Sequence, residues 1–294
     1  MYTMNPPASI HHTPRVYHEY PGSQYLLPAD DLERQRLLLQ HNTLLGLFGN
    51  RLLLAPVNLD KNDKVLESGT GPGFWLMDLT RSLNASVPMV GVDIDSRLFP
   101  VPPPDNIEFR VESVTKLPAD WTDTFSLVNQ RLLILGLQIH EWPMALNEIY
   151  RVLRPGGWVQ LAEYAPWRVV GQPCQEKCKE LYHRVLEARN LYYGCTDGMP
   201  RMLEQAGFVD VQKESQMQLI GTSHGEAGAA ASQGILGAFK GMKTPVLQAG
   251  GYGVVASEAE YDVLLEGLEK EWELGPGLKQ DFVIFWAKKL VPPS

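Results

Sequence analysis

Between residues 64 and 164, short apolar runs alternate with stretches in which apolar side chains recur every three or four positions. The short runs predict strands over 64–68, 89–93, 107–112, 125–130 and 158–164, each bounded by glycine, proline or polar residues. The helical spacing predicts a helix over 74–83, with Leu76, Leu79 and Leu83 on one face. A second helix over 142–153 sets Leu146, Ile149 and Leu153 in register and stops at Arg154-Pro155-Gly156-Gly157. Strands and helices in this alternation call for a parallel sheet covered on both faces.

The pattern differs on either side. The first 29 residues are rich in Pro, His, Tyr and Gly without a period, which marks an arm ordered only where something holds it. Asp30 opens a helix, because Asp30 and Glu33 have capping-box spacing and Leu37, His41, Leu44 and Phe48 follow at helical intervals. Beyond Pro166, helices are predicted over 177–193 and 200–206, and strands over 208–213 and 281–288. Between those last strands lies a Gly/Ala-rich stretch, 221–277, with helices near 233–242 and 258–273, which reads as an insertion and a candidate lid.

Charge narrows the partners. Against 34 acidic residues stand 26 basic ones, a net charge of -8 on 294 residues, which disfavours nucleic acid and anionic membrane as partners. The longest apolar stretch, 132–139, falls far short of the roughly 20 residues of a membrane span. The opening residues lack a cationic start followed by an apolar run, so a soluble, cytoplasmic protein is expected. Cys174, Cys178 and Cys195 are too few for a disulfide scaffold or a zinc site and read as buried or incidental thiols, so no metal is expected.

The chemistry concentrates at Glu67-Ser68-Gly69-Thr70-Gly71-Pro72-Gly73, set between a predicted strand and a predicted helix. Glycines there allow positive φ in a tight turn and close approach of a ligand to the backbone. A dinucleotide fingerprint would need glycine at 74, where Phe74 stands, and a pyrophosphate would be repelled by Glu67. A cationic amino-acid group would instead be attracted by Glu67. About 20 residues on, Asp93 ends the second strand, the place of a carboxylate that accepts ribose hydroxyls. A ribosyl ligand with a cationic tail and no phosphate is S-adenosylmethionine, and its demethylated product is S-adenosylhomocysteine.

The set Glu67-x-Gly69-x-Gly71-x-Gly73, Gly91-Val92-Asp93, Phe109 to Val114 and Leu153 to Trp158 resembles the class I S-adenosylmethionine-dependent methyltransferases. Upstream, Tyr25, Leu27-Pro28, Asp30, Glu33, Arg36 and Gln40-His41 resemble the opening of fungal LaeA-like secondary-metabolism methyltransferases. The resemblance implies that Glu67, Gly69 and Gly71 face the methionine part, within a loop that Thr70 and Gly73 complete. It places Asp93 on the ribose, Ile94, Ser113 and the Val114 N–H at the adenine, Gln130 beside the sulfonium, and Tyr25 over the cofactor. Where the family often has an Asp after the third strand, this chain has Ser113, with Glu112 one place off. Tyr25 reads equally as an aromatic staple for the helix that follows it.

Methyl transfer from a sulfonium depends mainly on holding acceptor and methyl close, aligned and dry. His140, just past the fourth strand, is a candidate base; a surface histidine opening the next helix explains it equally well. Asn129-Gln130-Arg131-Leu132 stands where an Asx-Pro-Pro-aromatic run would mark nucleobase or amide N-methylation. With the aromatic cluster Tyr164, Trp167, Tyr192 and Tyr193, this favours a small-molecule acceptor, with oxygen ahead of nitrogen or sulfur. Gly221-Thr222-Ser223-His224-Gly225 matches a nucleophile elbow, yet no histidine follows it, so the triad order fails. Asn84-Ala85-Ser86 has the spacing of a glycosylation acceptor, with no expected route to use.

The expectation is a Rossmann-like α/β fold: a seven-stranded, mostly parallel sheet with helices on both faces, an N-terminal helical lid and an insertion before the last strand. One domain spans 1–294, made of an arm and lid helix (1–55), a cofactor-binding half (56–165) and an acceptor-side half (166–294). The expected function is methyl transfer to a secondary metabolite. The alternative is a LaeA-like regulator that binds the cofactor without transferring methyl.

Overall fold

Side chains along the first strands alternate between two buried layers, so helices must cover the sheet on both faces. The computed structural model, which describes residues 10–13, 15–83, 86–168 and 171–291, shows this arrangement. Strands β1 (Val65–Ser68), β2 (Met89–Asp93), β3 (Ile107–Val111), β4 (Phe125–Arg131) and β5 (Leu153–Tyr164) run parallel. Strands β6 (Phe208–Ile220) and β7 (Leu278–Lys289) complete the sheet in the order β3-β2-β1-β4-β5-β7-β6. β7 is antiparallel to both of its neighbours.

Helix α1 spans Asp31–Leu47, α2 Phe74–Ser82 and α3 Glu141–Val152. On one face Val65, Met89 and Leu127 pack against Trp75, Leu76 and Leu79 of α2. On the other, Leu66, Val90 and Val128 join Trp142, Leu146 and Ile149 of α3. The C-terminal end of α1 sets Leu44 and Phe48 on Ala162, Phe282 and Ile284 of β5 and β7. Asp30 caps α1 by accepting the Glu33 N–H at 3.0 Å, but the Glu33 carboxylate does not close a capping box. It pairs instead with Arg36 one turn on, because both side chains are buried and each needs the other's charge.

Helices α4 (Pro173–Ala188) and α5 (Cys195–Gln205) follow β5. The helix predicted over 177–193 begins earlier, on Pro173 in its first turn, and ends before Leu191. The segment between β6 and β7 forms α6 (Gly225–Gln248) and α7 (Glu258–Leu274), longer than the helices predicted there, and α6 packs across α1. The arm is held at several points. The Tyr17 hydroxyl donates to Gly241 O at 2.8 Å, Arg15 pairs with Asp30, and His12 lies 2.8 Å from Glu258 and 2.7 Å from Thr244. Asn84 and Ala85 of the glycosylation triplet, and residues 1–9 of the arm, lie outside the described residues. No helix among the described residues is long and apolar enough to cross a membrane.

Candidate active site

Parallel strands bring their carboxyl ends to one edge, and a crevice opens where the strand order turns back, here between β1 and β4. A cavity of about 450 Å³ lies there, within the range of small-ligand pockets. Its floor is the loop after β1. Gly69 and Gly71 take φ of 63° and 49°, and a Cβ on Gly69 would sit 2.7 Å from the Leu133 side chain. The Thr70 N–H donates to Val92 O at 2.9 Å and ties the loop to β2.

Two carboxylates face this floor. Glu67 is 2% exposed and accepts the Thr70 hydroxyl at 2.7 Å and Asn129 Nδ2 at 3.4 Å. Burial pushes its pKa up to about 7, and the nearby Arg131 guanidinium opposes that rise only in part. Asp93 accepts the Gly71 N–H at 2.8 Å and the Asp95 N–H at 3.3 Å. Burial raises its pKa too, against the pull of these backbone donors.

Ile94, Ser113, Val114 and Glu112 line the side of the cavity beyond Asp93. The Ser113 hydroxyl is 2.8 Å from that of Thr115. Tyr25 enters from the arm, its ring 5.6 Å from that of His18, so this aromatic reaches the cavity. The rest of the floor, Glu67, Gly69, Thr70, Gly71 and Asp93, lines the cavity as well.

Three expected residues do not line it. Gly73 takes φ of 74° behind the loop, where a Cβ would meet the Phe109 ring at 2.6 Å; its role is close packing of α2. Gln130 is buried within the sheet, paired in register with Ser68 and Leu161, and its amide finds no partner there. His140 is exposed and opens α3 without a side-chain cap. The chain turns away before it: Gln138 bridges to Leu191, and the Ile139 N–H donates to Asn190 O at 2.8 Å. His140→Ala is therefore expected to leave steady-state turnover within about twofold, as for surface substitutions away from special features. A loss of tenfold or more would return His140 to the mechanism.

Two arginines to which the sequence assigned no role at the site also line the cavity. Arg131, at the end of β4, lies with a guanidinium nitrogen 3.6 Å from Glu67 and two such nitrogens 3.4 Å from His41 of α1. Arg36 holds Glu33 through bonds of 2.7, 2.9 and 3.0 Å and also lines the cavity. The far wall is aromatic and apolar. Trp167 and Tyr182 are stacked 6.2 Å apart, Phe239 of α6 meets Trp167 edge-on at 5.7 Å, and Ile235 and Met242 extend the surface. Tyr164 and Trp167 of the predicted aromatic cluster line the cavity, while Tyr192 and Tyr193 do not. His41 belongs to the helical spacing of α1 and Arg36 to the upstream resemblance, but nothing local to either residue tells which tertiary neighbours it meets.

Two other motifs fall elsewhere. Ser223 is exposed, and His224 lies 2.9 Å from Pro276 O. All three cysteines are free, with Cys178 and Cys195 buried. Among the described residues no group of three or more His, Cys, Asp or Glu is placed to hold a metal.

Comparisons with known proteins agree with this geometry. A family model described as a methyltransferase domain matches residues 65–157. The N-methyltransferase gliN of Aspergillus fumigatus is 30% identical over 276 residues, covering 90% of this chain and 96% of that protein. The N-methyltransferase sirN of Leptosphaeria maculans is 42% identical over 147 residues, 49% of this chain and about half (51%) of that relative's length. Among solved structures, a methyltransferase in complex with the Haloferax volcanii Trm112 activator shares the fold, with a TM-score of 0.52, 16% identity, and coverage of 89% of this chain and 96% of that one. The chain thus belongs to the class I S-adenosylmethionine-dependent methyltransferases, with S-adenosylmethionine as its cofactor, and it resembles the fungal secondary-metabolism members of that family.

Proposed function

We propose that this methyltransferase moves a methyl group to a nitrogen of a small, largely apolar secondary metabolite. The observation that carries the reading is the continuity of one cavity from the Glu67 and Asp93 carboxylates to the wall of Trp167, Tyr182 and Phe239. The relatives named as N-methyltransferases favour nitrogen over the oxygen preferred from sequence. A net charge of -8 suits a small acceptor better than a polyanion.

The residues fit the cofactor. Glu67 is a buried carboxylate whose raised pKa signals an unmet need for a cation, which the methionine ammonium would supply. Asp93 would accept from the ribose hydroxyls, with Ile94 and Ser113 beside the adenine, the Val114 N–H toward its edge, and Tyr25 above. Gly69, Thr70 and Gly71 would let the amino-acid part lie close to the backbone. Bound S-adenosylmethionine supplies a methyl on a positive sulfur, already activated for in-line displacement.

The chain's own part is to bind, orient and keep dry. The aromatic wall buries the acceptor, and the polar groups Arg36, Gln40 and Gln280 at its margin fix the acceptor's orientation. With Arg36 locked to Glu33, that cation is rigid and its position fixed before the acceptor arrives. The arm and the 221–277 insertion act as coverings of one site in one folding unit.

The test uses a panel of small aromatic molecules, in pairs that differ in presenting N–H or O–H, with isotopically labelled methyl followed by mass spectrometry. Label on nitrogen supports the reading, and label confined to oxygen would overturn it. Phe239→Ala should raise the acceptor KM about 5- to 10-fold, with cofactor affinity unchanged, since it removes one buried ring from the wall.

A further inference from the structure

Resting on the cofactor reading above, the amino-acid tail of the ligand brings two charges to the cavity floor, where the Glu67 carboxylate is buried. Glu67 answers the ammonium, which leaves a carboxylate that must also be met, because a buried charge without a partner is costly. Among the described residues that line the cavity, only Arg36 and Arg131 carry a permanent positive charge. Arg36 is spent, held by three short hydrogen bonds to Glu33 on the acceptor side. Arg131 is not. Its closest approach to Glu67 is 3.6 Å, and its buried Nε has no partner at all.

We propose that Arg131 binds the carboxylate of the cofactor's amino-acid tail, with His41 and Asp78 as the positioning residues that hold its guanidinium. The geometry follows a relay across three elements. Asp78 of α2 lies 3.0 Å from His41 Nε2, and its other oxygen accepts from Arg81 at 2.6 Å. A carboxylate at Nε2 fixes the proton there, so Nδ1 presents its lone pair to the two Arg131 nitrogens 3.4 Å away. Burial and the Arg131 charge both lower the His41 pKa, which keeps the ring neutral and able to accept. Arg131 thus sits between an acceptor that orients it and a carboxylate, Glu67, that it does not reach within hydrogen-bond distance. When the tail binds, Glu67 turns its charge to the ammonium and Arg131 to the carboxylate.

The proposal predicts a ligand-selective effect, read by calorimetry with two probes. S-adenosylhomocysteine carries both charges; 5′-deoxy-5′-(3-aminopropylthio)adenosine keeps the ammonium and lacks the carboxylate. Arg131→Met should weaken S-adenosylhomocysteine about 10- to 30-fold, the value of one charge-assisted bond, and change binding of the amine less than threefold. His41→Leu should weaken S-adenosylhomocysteine several-fold, again without effect on the amine. Equal losses for both ligands would make Arg131 a structural residue, and unchanged S-adenosylhomocysteine binding in Arg131→Met would remove it from the site; either overturns the proposal. A wild-type protein that binds neither probe would instead overturn the underlying cofactor reading.

Discussion

Replacing Asp93 with alanine is expected to lower S-adenosylhomocysteine affinity about 100- to 1,000-fold in calorimetry. That loss corresponds to two charge-assisted hydrogen bonds to the ribose, each worth about 1.5–2 kcal/mol, the lower part of the range for such bonds. A second contribution comes from the protein itself. Asp93 anchors the N–H groups of Gly71 and Asp95, so its loss also frees the loop that forms the cavity floor. The folded state should suffer little by comparison. Burial raises the Asp93 pKa, so removing this carboxylate relieves a desolvation cost while it breaks two backbone bonds. Affinity retained within threefold in Asp93→Ala would remove the ribose from this position.

Glu67→Gln is expected to act in opposite directions on stability and on binding. The Glu67 pKa is raised from 4.5 to about 7 by burial, so the folded protein favours the protonated carboxyl. The associated stability is fully present below pH 4.5 and is lost as pH rises through 7. By pH 8 the charged form costs the folded state roughly 3 kcal/mol, a cost that glutamine does not carry. The thermal midpoint of Glu67→Gln should therefore exceed that of the parent at pH 8, and the difference should vanish near pH 4.5. Cofactor affinity should fall about 30- to 100-fold, because the ammonium loses its counter-charge. In the parent protein, binding should release a proton at pH 6.5, visible as a dependence of the calorimetric heat on the buffer's ionisation enthalpy. Equal stability of the two proteins at pH 8 would contradict the assignment of a buried carboxylate whose charge its neighbours offset only in part.

Much of the α/β core was legible because punctuation and period coincide there. Met89–Asp93 was located to the residue, and α2 to within one position at its C-terminus, since glycine, proline and polar turns bound each run. The floor carboxylates were legible for a related reason: Glu67, next to last in β1, and Asp93, last in β2, are fixed by the ends of their strands. Legibility failed where tertiary contacts decide. β6 runs seven residues beyond the predicted end at 213, because over 214–218 its covered face carries Glu214, Gln216 and Gln218 while Met217 and Leu219 are exposed, so polarity does not mark burial there. α6 carries Gly228, Gly234, Gly237, Gly241 and an internal Pro245, so its 24 residues have poor intrinsic propensity and are held by packing on α1. Arg131, His41, Tyr182 and Phe239 come from four separate elements, and no local spacing connects them. His140 misses the cavity by a single position: its neighbour Glu141 lines the cavity while His140 faces solvent.

The central claim is that one cavity holds the cofactor on Glu67 and Asp93 and presents its sulfur to the aromatic wall. A crystal structure of the protein soaked with S-adenosylhomocysteine tests it most directly. The account predicts both ribose hydroxyls on the Asp93 carboxylate, the ammonium on Glu67, and the sulfur facing the space between Tyr164, Tyr182 and Phe239. A ligand bound away from Asp93, or one whose sulfur faces solvent, would contradict it.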